Sequence, residues 1–99
     1  MSKVKLPKRI TVGRKRFSVE QVPVIKDADG KPTVMGRISF GAKRIQVSTN
    51  YPAAEIRNTF WHEITHAILD DMGHDLTHNE RFVTAFANRL SDAIDSAKF

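Results

Sequence analysis

The sequence predicts an α+β fold: a small, twisted, antiparallel-rich sheet from the N-terminal half, packed on a C-terminal two-helix hairpin. Three observations predict it. Residues 8–48 alternate apolar and polar side chains between turn signals. Residues 52–72 and 79–97 carry apolar residues at helical spacing, with no Gly or Pro inside either run. The strands come first and the helices after, the order expected of segregated layers.

The strand signals begin with Arg9-Ile10-Thr11-Val12 and Phe17-Ser18-Val19-Glu20-Gln21-Val22, with Gly13 and basic residues between them. Pro23 marks an edge or an ending. Residues 27–32 read as a turn. Asp27, Asp29 and Gly30 share part of a calcium-loop pattern, but its remaining ligand positions are missing, so a plain turn is the better account. Residues 35–40 and 43–48 form a second hairpin pattern turning at Gly41-Ala42. Its Ile38, Phe40, Ile45 and Val47 would face the helices, and an edge strand within 34–48 could pair with an extended peptide.

In the first helix, Asn50 or Tyr51 sits at the cap and Pro52 at the first helical position, where its missing N–H costs nothing. Glu55 suits the positive end of the dipole, and Gly73 is a natural stop. Phe60, Trp61, Ile64 and Ile68 share one side; Glu55, Thr59, His62 and His66 share the other. In the second helix Val83, Phe86, Ala87, Leu90 and Ile94 form an apolar stripe. The short connection between the two favours an antiparallel hairpin.

The chemistry lies in His62-Glu63-Ile64-Thr65-His66, an H-E-x-x-H motif. Four residues apart on a helix, His62 and His66 can reach one Zn2+ ion. Glu63 lies beside them, where it could deprotonate a zinc-bound water. The plain alternative is a surface helix that happens to carry two histidines and a glutamate. A catalytic zinc uses three protein ligands, and His74, His78 and Glu80 are the candidates for the third. Glu80 opens the second helix at the edge of its apolar stripe, so it can point back toward the histidines. The competing reading of Thr77-His78-Asn79-Glu80 is a capping box with Glu80 at its third position. His74, His78 and Tyr51 are candidates for stabilising an oxyanion, and the two histidines also for ligation. Asp70, four residues after His66, could orient a ligand imidazole or be a solvated charge on the helix. A metzincin pattern is excluded, because its third histidine would fall on Met72.

The run from Thr59 to Leu69, followed by Gly73 and by Glu80 with Phe86, Ala87 and Leu90, resembles small zincin-like metallopeptidases, many of them encoded by phages and mobile elements. It is similar, more distantly, to the repressor-cleaving metallopeptidases of mobile elements, although Val83-Thr84 stands where that family often has Ala-Asn. The resemblance implies a minimal zincin-like fold, His62, His66 and Glu80 as ligands, Glu63 as general base, and a peptide or protein substrate.

Composition bounds the rest. Ninety-nine residues make one domain, 1–99, with room for an open groove but no deep channel. The chain has no cysteine, which removes disulfides and Cys-ligated zinc. No run is long enough to span a membrane and no apolar leader follows the basic N-terminus, so a cytoplasmic location is expected. Seven basic residues precede the first acid, Glu20, making residues 1–16 a basic segment. Such a segment either contacts nucleic acid or is a solvated arm and a guarded edge. Beside the peptidase reading stands a zinc-stabilised binding module that grips nucleic acid or a protein partner without cutting it.

Overall fold

The computed structural model describes residues 4–26 and 32–99. The alternation in the N-terminal half becomes β1 (Arg9–Val12) and β2 (Lys15–Val22), paired antiparallel with Val12 opposite Lys15. Gly13, at φ +59°, takes the first of the two turn positions, where a side chain would strain the backbone. The basic residues Lys15 and Arg16 belong to β2 rather than to the connection. β2 ends at Val22, before Pro23.

Two short strands, β3 (Ile25–Lys26) and β4 (Pro32–Val34), pair as a separate ribbon. The turn expected between them falls on residues outside the described ones. β5 (Gly36–Ser39) and β6 (Arg44–Ser48) form the second antiparallel hairpin. The chain turns over residues 40–43, with Gly41-Ala42 at the centre as expected, and the positive φ falls on Lys43, at 52°. Within the turn the Ala42 N–H donates to Ser39 Oγ at 3.2 Å.

The main sheet has the order β1-β2-β6-β5. β6 lies between β2 and β5 and runs parallel to β2, so the sheet is mixed, with two antiparallel pairings and one parallel. This leaves β5 on one edge and β1 on the other.

α1 (Ala53–Asp71) starts one residue later than expected, with Pro52 as its cap. No side chain caps it; the Pro52 carbonyl accepts from the Glu55 and Ile56 N–H groups, each at 3.0 Å. It ends in a Schellman turn: Gly73 N–H donates to Asp70 O and His74 N–H to Leu69 O, with Gly73 at φ +64°. A 3-10 turn over Asp75–His78 leads to α2 (Glu80–Ser96). The Arg57–Asp95 ion pair ties the start of α1 to the end of α2, so the helices run antiparallel.

α1 lies between the sheet and α2. Ile56, Phe60, Ile64 and Ala67 pack on Val12, Phe17, Ile45 and Val47 to form the core. Burying each large side chain contributes about 1.5–3 kcal/mol. Because both sides are covered, Thr59, Glu63, Thr65, His66 and Leu69 are buried too. Ile68, expected in the core, is instead exposed beside α2. In α2 the contact line is Val83, Ala87 and Ser91, at intervals of four. Phe86 and Ile94, expected in the stripe, stand at its exposed margin. Among the described residues no helix is long and apolar enough to cross a membrane.

Candidate metal centre

α1 carries His62 and His66 on one face, four residues apart, with ring centroids 5.0 Å from each other. Glu80 comes from the first turn of α2. Its Oε2 lies 3.0 Å from His62 Nε2 and its Oε1 2.8 Å from His66 Nε2. The three donor atoms lie within 4.8 Å of one another.

The start of α2 explains why Glu80 is available. Asn79, not Thr77, is the cap, and its side-chain oxygen accepts from the Phe82 N–H at 3.0 Å. The Thr77 hydroxyl donates to the His74 carbonyl at 2.6 Å. Glu80 is therefore the first helical residue and takes no part in a capping box.

His66 is oriented from behind. Its Nδ1 lies 2.6 Å from the Thr77 carbonyl, which can only accept. The proton of a neutral His66 ring thus sits on Nδ1, and Nε2 turns its lone pair toward Glu80. Two acceptor atoms facing each other at 2.8 Å require a proton or a cation between them. Two imidazoles and one carboxylate are the donor set of a catalytic zinc with a fourth position open, so the residues present fit that ion. His62 is held below its ordinary pKa, chiefly by burial; the Glu80 carboxylate works against this and His66 with it. A lowered pKa keeps the ring in the neutral, ligating form.

Glu63 lies beside the triad, only 6 % exposed. Burial pushes its pKa up to about 7, with His66 drawing it down and Glu80 pushing it further up. Its Oε2 packs against the β5 backbone, 3.3 Å from where a Cβ on Gly36 would stand. A carboxyl poised near neutrality is matched to taking and returning a proton.

Two cavities meet at this point. One, of about 420 Å³, lies toward Glu55, Asn58, Thr59, Thr84 and Asn88. The other, of about 470 Å³, lies toward Ile38, Phe40, His66, His78 and Glu80. Both include Val34, Gly36, His62 and Glu63, so together they make a groove along β5. The Ser48 N–H donates to Met35 O, and by alternation the backbone groups of Gly36 and Ile38 face the open edge of the sheet.

The structure brings His62, Glu63, His66, His78 and Glu80 together at this groove. His74 is not among them: its Nδ1 accepts from the Leu76 N–H at 3.1 Å, and it lines a separate apolar cleft. Tyr51 is exposed before α1 and lines neither cavity. Asp70 is bonded to Lys15 Nζ at 3.1 Å and not to an imidazole; the Thr77 carbonyl fills that role. Gly36 and Thr59 also line the groove, outside any sequence motif. A glycine inside a strand pattern is a signal of close backbone approach, and it applies at Gly36. Comparisons with family models, with curated proteins and with solved structures found no match.

Proposed function

We propose that this protein is a zinc-dependent metallopeptidase acting on an extended peptide or protein segment. The observation that carries the reading is the convergence of His62 Nε2, His66 Nε2 and the Glu80 carboxylate beside a buried Glu63. His62, His66 and Glu80 would hold the ion. When bound, zinc supplies a Lewis acid that polarises a carbonyl and makes water more acidic.

The residues supply the rest. The free backbone groups of Gly36 and Ile38 pair with the substrate strand and lay it across the site. Glu63, at its side-chain oxygen, accepts a proton from water and returns it to the departing amine. Its raised pKa suits both halves of that transfer. His78, exposed on the groove wall, would be the donor to a developing oxyanion. The groove follows the edge strand β5, which suits an extended segment rather than a small metabolite.

The test is elemental analysis of the purified protein beside Glu80→Ala, followed by peptidase assays on unfolded protein and peptide libraries. One zinc per chain, depleted in the variant, with turnover abolished in Glu63→Gln, is the expected result. Zinc bound without turnover in the wild type would move the protein to the binding-module reading. Absence of zinc after metal-replete purification would overturn both.

A further inference from the structure

The sheet has a second face, turned away from α1, and each of its four strands places one arginine there: Arg9, Arg16, Arg44 and Arg37, all exposed. The register orders them. Arg9, Ser18, Arg44 and Ser39 form one row across the sheet. Adjacent strands lie about 4.8 Å apart, so Arg9 and Arg44 stand about 10 Å apart. Beside it, Glu20, Gln46 and Arg37 form a second row, linked by Arg37 Nε to Gln46 Oε1 at 2.6 Å and Gln46 Nε2 to Glu20 Oε1 at 2.9 Å. A cavity of about 280 Å³ opens between Arg37, Ser39, Arg44 and Gln46. The charge of the whole chain follows the same division. Residues 1–50 hold twelve basic and three acidic side chains, and residues 51–99 hold four and eight.

We infer that this face binds the phosphate backbone of a nucleic-acid duplex without reading its sequence. Arginine, serine and glutamine side chains are all donors to phosphate oxygens, and guanidinium matches phosphate in a two-point fork. The two rows contain no apolar or aromatic side chain. A protein partner needs an apolar anchor at the centre of its interface. A single strand needs aromatic platforms for its bases. Glu20 is the carboxylate among these groups, 3.9 Å from Arg44 Nε, and four exposed arginines against it leave the face cationic, which suits a regular array of anions. The acidic helical half is repelled by the same polymer, which orients the protein with its sheet toward the duplex and its groove away.

The test is fluorescence anisotropy with labelled 20-base-pair DNA and RNA duplexes of arbitrary sequence, repeated across salt concentrations. It uses the full chain with and without added zinc, so it is independent of the metal reading. Binding is expected at about 1–100 µM near physiological salt, with log K falling against log salt at a slope of about −3 to −4 for some four phosphate contacts. Arg9→Gln, Arg16→Gln, Arg37→Gln and Arg44→Gln together should weaken it at least tenfold. Arg16→Gln and Arg44→Gln, tested singly against misfolding of the quadruple variant, should each lower the slope by about one. The tighter of the two duplexes identifies the natural polymer. No binding at 50 mM salt, or unchanged binding in the quadruple variant, overturns the inference. So does tighter binding of poly-glutamate or of a single strand, or loss of binding on neutralising only Lys5 and Lys8.

Discussion

The Nδ1 of His66 lies 2.6 Å from the backbone carbonyl of Thr77, in the turn that joins the two helices. That contact fixes which ring nitrogen is bare. Long-range nitrogen–proton spectra of the metal-free protein above pH 8 should show His66 as the Nδ1–H tautomer. A ring protonated on Nε2 instead would remove the argument that three lone pairs converge at the site.

Glu80→Ala should weaken zinc binding by at least 100-fold, measured by competition with a chromogenic chelator. The exposed position of Glu80 at the first turn of α2 makes the folding cost small. Unchanged affinity would shift the third ligand to His78, the other histidine on this groove.

Glu63→Gln should abolish turnover, with kcat reduced at least 1,000-fold, while one zinc per chain is retained. Loss of zinc from this variant would mean that Glu63 acts in holding the site together and not on the proton.

Glu63 also makes the metal-free protein sensitive to pH. Its folded pKa is about 7, above its ordinary 4.5, so the folded state binds a proton that the unfolded state has released. Its contribution is most favourable below 4.5 and is lost as pH rises to about 7, by on the order of 3 kcal/mol. His62, with a lowered pKa, acts in the opposite sense as it titrates. Comparing chemical denaturation of the wild type and Glu63→Gln at pH 4.5 and pH 8 isolates Glu63. The variant should gain relative to the wild type at the higher pH. Parallel profiles would sink the assignment.

Gly36→Ala should destabilise the protein by about 1–3 kcal/mol, because the new Cβ would collide with Thr59 Cγ2. Thr59→Ser removes that methyl while keeping the hydroxyl that donates to Glu55 O. The double variant should recover much of the loss in thermal unfolding. Equal loss with and without Thr59→Ser would assign the effect to the strand backbone.

The helices and the motif were legible because their signals are local. His62 and His66 share a face by spacing alone, and Gly73 announces its Schellman turn. Glu80 was legible as a candidate but not as a choice, because Thr77 and Asn79 are both good caps and tertiary packing selects Asn79. The parallel pairing of β2 with β6 was hidden for a different reason. It joins residues about 26 apart, and alternation says which face a side chain takes but not which strand lies beside it. Helical spacing puts Asp70 on the His66 side, but the β1–β2 hairpin, far off in sequence, delivers Lys15 to it. Burial of α1 on two sides could not be read from α1 itself, since its cover comes partly from α2.

The layering of sheet, α1 and α2 gives the centre a thermodynamic meaning. Two donors stand on a helix that the sheet holds, and the third stands on a helix held mainly by α1 and the 3-10 turn. An ion held by all three would link its affinity reciprocally to the seating of α2: whatever stabilises one would strengthen the other by the same factor. Packing changes along Val83, Ala87 and Ser91, none of them a donor, would thereby tune how much free ion the proposed centre needs.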